Sequence, residues 1–141
     1  AAVAGFALLA LFPEVRVDAV VLGTPALGAG TTVVQAIVIE AILTAFLMAA
    51  VFGTVIDSRG PNIGGLGIGL VLTMGIFAGG PLTGAAMNPA RAFGPALAQG
   101  FWTDHAVYWI GPIIGAVLAA LFYHFVLMND AERTSASASA A

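Results

Sequence analysis

Residues 78–97, AGGPLTGAAMNPARAFGPAL, decide how the chain folds. Long apolar runs flank them, yet within this stretch stand three prolines, glycines at 79, 80, 84 and 94, and a single cation, Arg91. The helix-competent part, from Pro89 to Leu97, would rise about 14 Å, half of a hydrocarbon core about 30 Å thick. A segment that short between two longer apolar runs reads as re-entrant. Non-helical backbone at membrane depth persists only where protein buries it or where it lines a wet cavity. The lead-in GGPLTGAAM, which should not continue a helix past Pro81, is therefore expected to line a polar cavity.

Asn88-Pro89 reads as a helix start. Asparagine at an N-cap accepts a hydrogen bond from an early helical N–H, and proline suits the first helical position. With its oxygen engaged, the Asn88 amide keeps only its NH2, a pure donor. Held at the positive end of a half-helix, that donor repels cations and orients the oxygen of a passing neutral molecule. Arg91 lies one turn on. A cation in the first turn is disfavoured by the helix dipole, so Arg91 is not there to stabilise the helix. The choice is between an arginine snorkelling to a headgroup and a functional one, and depth favours the second. Glu40 is the other misfit, a carboxylate inside a 24-residue apolar run. It either accepts hydrogen bonds from backbone N–H groups of the irregular 81–87 segment or carries a proton. No second acid or histidine stands at a comparable depth, which makes a poor relay.

The surrounding composition sets the class. The 141 residues are 60% hydrophobic and 8% charged, with a mean hydropathy of +1.04. A soluble domain is about a quarter charged, so an integral membrane chain is expected, and apolar runs long enough for spanning helices make its expected class all-α. Four arginines, no lysine and a net charge of −3 leave no basic face for nucleic acid. There is no cysteine, and His105 and His124 lie far apart, so no thiolate site, metal site or cofactor is expected. No nucleophile–base pair suggests an enzyme. Spans are expected at about 33–56, 63–80 and 106–128, with a half-helix at 88–98. Residues 1–12 read as the tail of a truncated spanning helix, 13–32 as an extracellular loop and 129–141 as a disordered tail. Gly65–Gly69 and Gly111–Gly115 have the spacing of close helix–helix packing. Tyr108 and Trp109 at one end of the last span, and Tyr123 and His124 at the other, fit an interfacial belt.

MNPARAFGPAL closely resembles the second Asn-Pro-Ala motif of the aquaporin (major intrinsic protein) family. The resemblance extends to EAILTAF around Glu40, to AGGPLTG and to HAVYWIGPIIGA, and covers roughly residues 33–128. It implies the second inverted repeat of that fold, with three spanning helices and one re-entrant half-helix, preceded by the tail of another helix. It further implies that Asn88, Pro89 and Ala90 meet a second such motif at the pore centre. Arg91 would stand at the constriction near the extracellular mouth. The carbonyls of Gly84, Ala85, Ala86 and Met87 would form a ladder of acceptors, braced by Glu40. Ile76, twelve residues before Asn88, and Ala85 match two further constriction positions. Isoleucine with AGGP is similar to the plant vacuolar-membrane branch and its ammonia-permeable relatives. Water is the main solute implied, with ammonia, hydrogen peroxide or urea beside it. Glycerol is disfavoured, because Ala92 stands where the glycerol branch has aspartate.

A pore of two half-helices cannot close from one copy. The chain is accordingly expected to be part of a longer protein, which the family makes a homotetramer in lipid. The alternatives are two chains pairing, or a non-conducting homologue packing with full-length subunits. Arg59 and Arg133 against Arg16 favour a cytoplasmic C-terminus. The absence of lysine suggests a bacterial inner membrane.

Overall fold

The computed structural model describes residues 1–63, 65–128 and 138. All regular structure among these residues is helical. Among the described residues three helices are long and apolar enough to cross a membrane: Val33–Ile56, Gly65–Thr83 and Val107–Leu127. The tail assigned to 129–141, with Arg133 in it, lies outside the described residues apart from position 138.

The first helix, α1 (Ala2–Leu11), packs on the half-helix α5 (Pro89–Gln99). The crossing is close because both partners are small. A methyl group at Gly5 would meet the Gly94 carbonyl at 2.7 Å and the Ala98 side chain at 3.1 Å. The 13–32 segment is more structured than a loop. It carries α2 (Glu14–Ala19), whose Glu14 suits the positive end of a helix, and a 3₁₀ turn at Val21–Gly23. It then returns to the bundle, where the Gly28 N–H donates to the Leu82 carbonyl at 2.9 Å.

Helix α3 (Val33–Val51) starts on a capping box. The Thr32 hydroxyl accepts the Gln35 N–H at 3.3 Å, and the Gln35 side chain accepts the Thr32 N–H at 2.9 Å. A π-helical turn, Phe52–Ile56, lengthens α3, and another, Tyr123–Leu127, lengthens α6 (Val107–Phe122). The two turns lie side by side, with the Phe52 and Tyr123 rings stacked 5.0 Å apart. Asp57 joins them. It accepts from Arg59 at 2.9 and 3.0 Å and from the Tyr123 hydroxyl at 3.2 Å, while Arg59 Nη2 reaches the Leu127 carbonyl at 2.7 Å. These bonds from Arg59 hold the Asp57 carboxyl at a pKa of about 2, below its ordinary 3.8.

Helix α4 (Gly65–Thr83) runs three residues beyond the end expected at position 80, through Pro81. Proline removes one donor only, and the helix still closes with the Gly84 N–H on the Gly80 carbonyl at 3.0 Å. The half-helix occupies Pro89–Gln99, one residue later at each end than expected, and stops at Gly100 in the left-handed conformation.

Helices α3 and α6 form the most extensive packing pair. Gly111 lies on Glu40 and Ile37, and Gly115 lies so close to the Ala41 carbonyl that no side chain fits between them. Among the described residues the other expected small-residue pair makes no such contact. Gly65 and Gly69 face open space, and it is Gly75 and Gly79 that receive Met87, Leu43 and Ala85. The outer surface is apolar, with Phe46, Leu70, Phe77, Leu118 and Phe125 exposed. Such a surface suits hydrocarbon as its surroundings.

Candidate functional site

Between α4 and α5 the backbone is neither helix nor strand. Gly84, Ala85 and Met87 take positive φ angles of 79°, 45° and 51°, and Asn88 is extended at −156°. Three residues in the left-handed region within four are costly, more so for the two that are not glycine. They persist because the groups behind the turn over-determine it. At Gly84 even a methyl group would collide with Pro25, at 2.9 Å.

Each backbone donor of this turn is used on its inner side. The Gly84 N–H goes to the Gly80 carbonyl at 3.0 Å. The Ala85 N–H goes to Thr83 Oγ1 at 3.1 Å. The Ala86 N–H goes to Glu40 Oε1 at 2.9 Å, and the Met87 N–H to Glu40 Oε2 at 2.7 Å. Thr83 Oγ1 donates to Glu40 Oε1 at 2.7 Å, a closer acceptor than the Gly79 carbonyl at 3.4 Å. Glu40 and Thr83 are both fully buried. Among the described residues, none of the carbonyls of Gly84, Ala85, Ala86 and Met87 accepts a hydrogen bond. Four consecutive residues thus have their N–H donors spent and their carbonyl acceptors free.

The strip of acceptors ends at a donor. Asn88 Oδ1 accepts the N–H groups of Ala90 at 2.9 Å and Arg91 at 3.3 Å, which leaves its NH2 exposed at the start of α5. Pro89 fills the first helical position. Ala90 and Arg91 are exposed, whereas Ala92, Gly94 and Ala96 form the buried side of the half-helix. The fold therefore brings Glu40, the 84–87 turn, Asn88, Pro89, Ala90 and Arg91 into one region. Ile76 stands apart on α4, exposed over half its surface, next to Gly75, which packs on Met87. A cleft of about 250 Å³ opens beside Asn88 and Pro89, walled by Leu47 and Val51 of α3 and Pro112 and Ile113 of α6.

Two participants were not legible as site residues. Thr83 joins Glu40 to the turn. Tyr108, expected at a membrane interface, is fully buried, and its hydroxyl donates to the Thr83 carbonyl at 2.9 Å. Its position, first turn of a span and beside Trp109, is that of an interfacial aromatic, and its acceptor is 25 residues away in sequence. Trp109 does remain exposed. His105 sits among the rings of Phe93, Trp102, Tyr108 and Trp109, and burial lowers the pKa of its imidazole.

Comparison with known proteins identifies the family. Residues 1–123 match the major intrinsic protein family. Aquaporin TIP4-4 of Zea mays is 51% identical over 73% of this chain and 42% of its own length. Aquaporin TIP4-1 of Arabidopsis thaliana is 46% identical over 77% of this chain and 45% of its own. Probable aquaporin TIP3-2 of Oryza sativa subsp. japonica is 48% identical over 73% and 40%. The chain thus spans less than half the length of these curated relatives. They come from plants, which corrects the bacterial inner membrane expected above. Lysine content reports on loop charge and not on the host. The integral membrane assignment stands, because it rests on the three spans. With four free carbonyls leading to a capped Asn-Pro-Ala half-helix, and with the match covering nearly its whole length, this chain belongs to the major intrinsic protein (aquaporin) family.

Proposed function

We propose that this chain forms one half of a passive transmembrane pore for water and other small neutral solutes. The observation that carries this reading is the spent-donor, free-acceptor strip of residues 84–87 that ends on the Asn88 NH2. A single file of water needs acceptors for its protons along the path. It needs a donor where each oxygen must turn, and a cation gains nothing at that donor. Arg91 narrows the path and opposes cations one turn beyond Asn88. Ile76 and Ala85 set its apolar side, which makes ammonia, hydrogen peroxide and urea candidate solutes beside water. Glu40 braces the turn from behind.

The other half of the pore is a second re-entrant helix. The cleft beside Pro89, walled by α3 and α6, is its seat in this reading, as the α1 side is the seat of α5. The complete protein assembles as a homotetramer in lipid. A second reading, a non-conducting homologue that packs with full-length subunits, draws on the fact that relatives are more than twice as long as the matched part.

The test is Asn88→Asp in the full-length protein, reconstituted in proteoliposomes. Replacing the donor by a carboxylate is expected to admit monovalent cations while water still passes. A variant as tight to cations as the parent would remove Asn88 from the exclusion mechanism.

A further inference from the structure

Helix α4 ends under unusual hydrogen-bond accounting. In a continuing helix the Leu82 carbonyl would accept the Ala86 N–H, and the Thr83 carbonyl would accept the Met87 N–H. Both of those donors go to Glu40 instead. The two carbonyls are not left empty. The Gly28 N–H takes Leu82 at 2.9 Å, and the Tyr108 hydroxyl takes Thr83 at 2.9 Å. The stop is thus an exchange of partners: Glu40 withdraws two donors, and two groups remote in sequence replace them.

From this exchange we infer that Tyr108 is a positioning residue for solute discrimination, acting through the Thr83 carbonyl to hold the 84–87 acceptors in their non-helical arrangement. Tyr108 touches no solute. It is fully buried among Ala36, Ala86, Ala92 and Val107, and its hydroxyl is the one polar atom of its side chain. Ala86 belongs to the acceptor turn itself, so the ring is part of the buried cluster that the turn shares, and the hydroxyl fixes the peptide before it. Thr83 completes the link. Its carbonyl receives Tyr108, while its own hydroxyl donates to Glu40 and accepts the Ala85 N–H. Without the Tyr108 hydroxyl, the Thr83 carbonyl competes with Glu40 for the Met87 N–H. The free carbonyls of Ala86 and Met87 then sample a more helical direction. Discrimination among neutral solutes depends on where those oxygens stand, whereas the fold depends on the ring.

The inference rests on the pore reading above, and the experiment separates the two. Full-length protein, parent and variants, is reconstituted at matched amounts, and water and urea permeabilities are measured by stopped flow. Tyr108→Phe keeps the ring and removes the hydroxyl. It is expected to raise the urea-to-water permeability ratio about two- to tenfold, the worth of one hydrogen bond. Thr83→Ser, which retains the hydroxyl and the carbonyl, is expected to keep the parent ratio, and Thr83→Val to change it in the same direction as Tyr108→Phe. A parent protein that moves neither solute faster than empty vesicles overturns the pore reading. A conducting parent with an unchanged ratio in Tyr108→Phe overturns only the role of Tyr108. So does a Tyr108→Phe protein that fails to insert, or that loses thermal stability at an unchanged ratio, since both results assign the hydroxyl to stability alone.

Discussion

Replacing Glu40 by glutamine is the sharpest perturbation of the acceptor turn. The side chain keeps its length, but one of its two acceptor oxygens becomes an NH2. Oxygen Oε1 serves two donors, the Thr83 hydroxyl at 2.7 Å and the Ala86 N–H at 2.9 Å, so the remaining oxygen is best kept there. The new NH2 then faces the Met87 N–H, which now sits 2.7 Å from Oε2. Two donors oppose each other in a fully buried place. An unsatisfied buried donor costs about 1–3 kcal/mol, and two give about 2–6 kcal/mol. Removing a carboxylate from the interior returns part of this, since burying an ion costs several kcal/mol. The lower part of the range, about 2–3 kcal/mol, is the expected loss, equivalent to about 30- to 160-fold in the folding equilibrium. The assay is chemical unfolding of the purified full-length protein, paired with osmotic shrinkage of proteoliposomes. Lower stability is expected, with reduced water permeability per folded protein. Stability within about 0.5 kcal/mol of the parent, the range of a neutral surface change, would refute the brace. Transport that depends on a pH gradient and vanishes in Glu40→Gln would instead make Glu40 a proton carrier.

Other consequences are equally direct. Gly115→Ala forces a methyl group into the Ala41 carbonyl, a backbone atom that cannot swing aside, and should lower stability by about 1–3 kcal/mol, read as a lower unfolding midpoint. Gly65→Ala and Gly69→Ala, where a methyl group meets nothing within 4 Å, should leave the packing of this half unchanged in the same assay. The Asp57–Arg59 bonds lower the folded-state pKa of Asp57 to about 2, so their stabilisation is full above about pH 4 and is lost as pH falls towards 2. The difference in melting temperature between the parent and Asp57→Asn should therefore shrink on acidification; a difference that grows would reverse the assigned sign. Arg91→Val should admit larger or charged solutes in proteoliposomes, and unchanged selectivity would remove Arg91 from the constriction.

What could be read from the sequence was whatever depends on near neighbours. The spans follow from hydropathy and length. The start of α5 follows from Asn88-Pro89, because an N-cap is settled within three residues. The capping box at Thr32 and Gln35 was equally local and its spacing was there to be read. The end of α4 was not legible, because its last carbonyls are capped by Gly28 and Tyr108, far away in sequence. Gly65–Gly69 and Gly75–Gly79 have the same spacing, and only the position of Met87 and Leu43 distinguishes them. Glu40 attracted notice as a charge among apolar residues. Thr83 did not, since threonine inside an apolar run is ordinary and its value lies in being held between Glu40 and Ala85.

The most direct test of the central claim is stopped-flow osmotic shrinkage of proteoliposomes, made once with this chain alone and once with it joined to an upstream repeat. The account predicts rapid water efflux only from the joined form, because the 84–87 acceptors and Asn88 line one half of the path. Equal efflux from both forms would show that copies of this chain build the pore by themselves. Slow efflux from both would contradict the pore altogether.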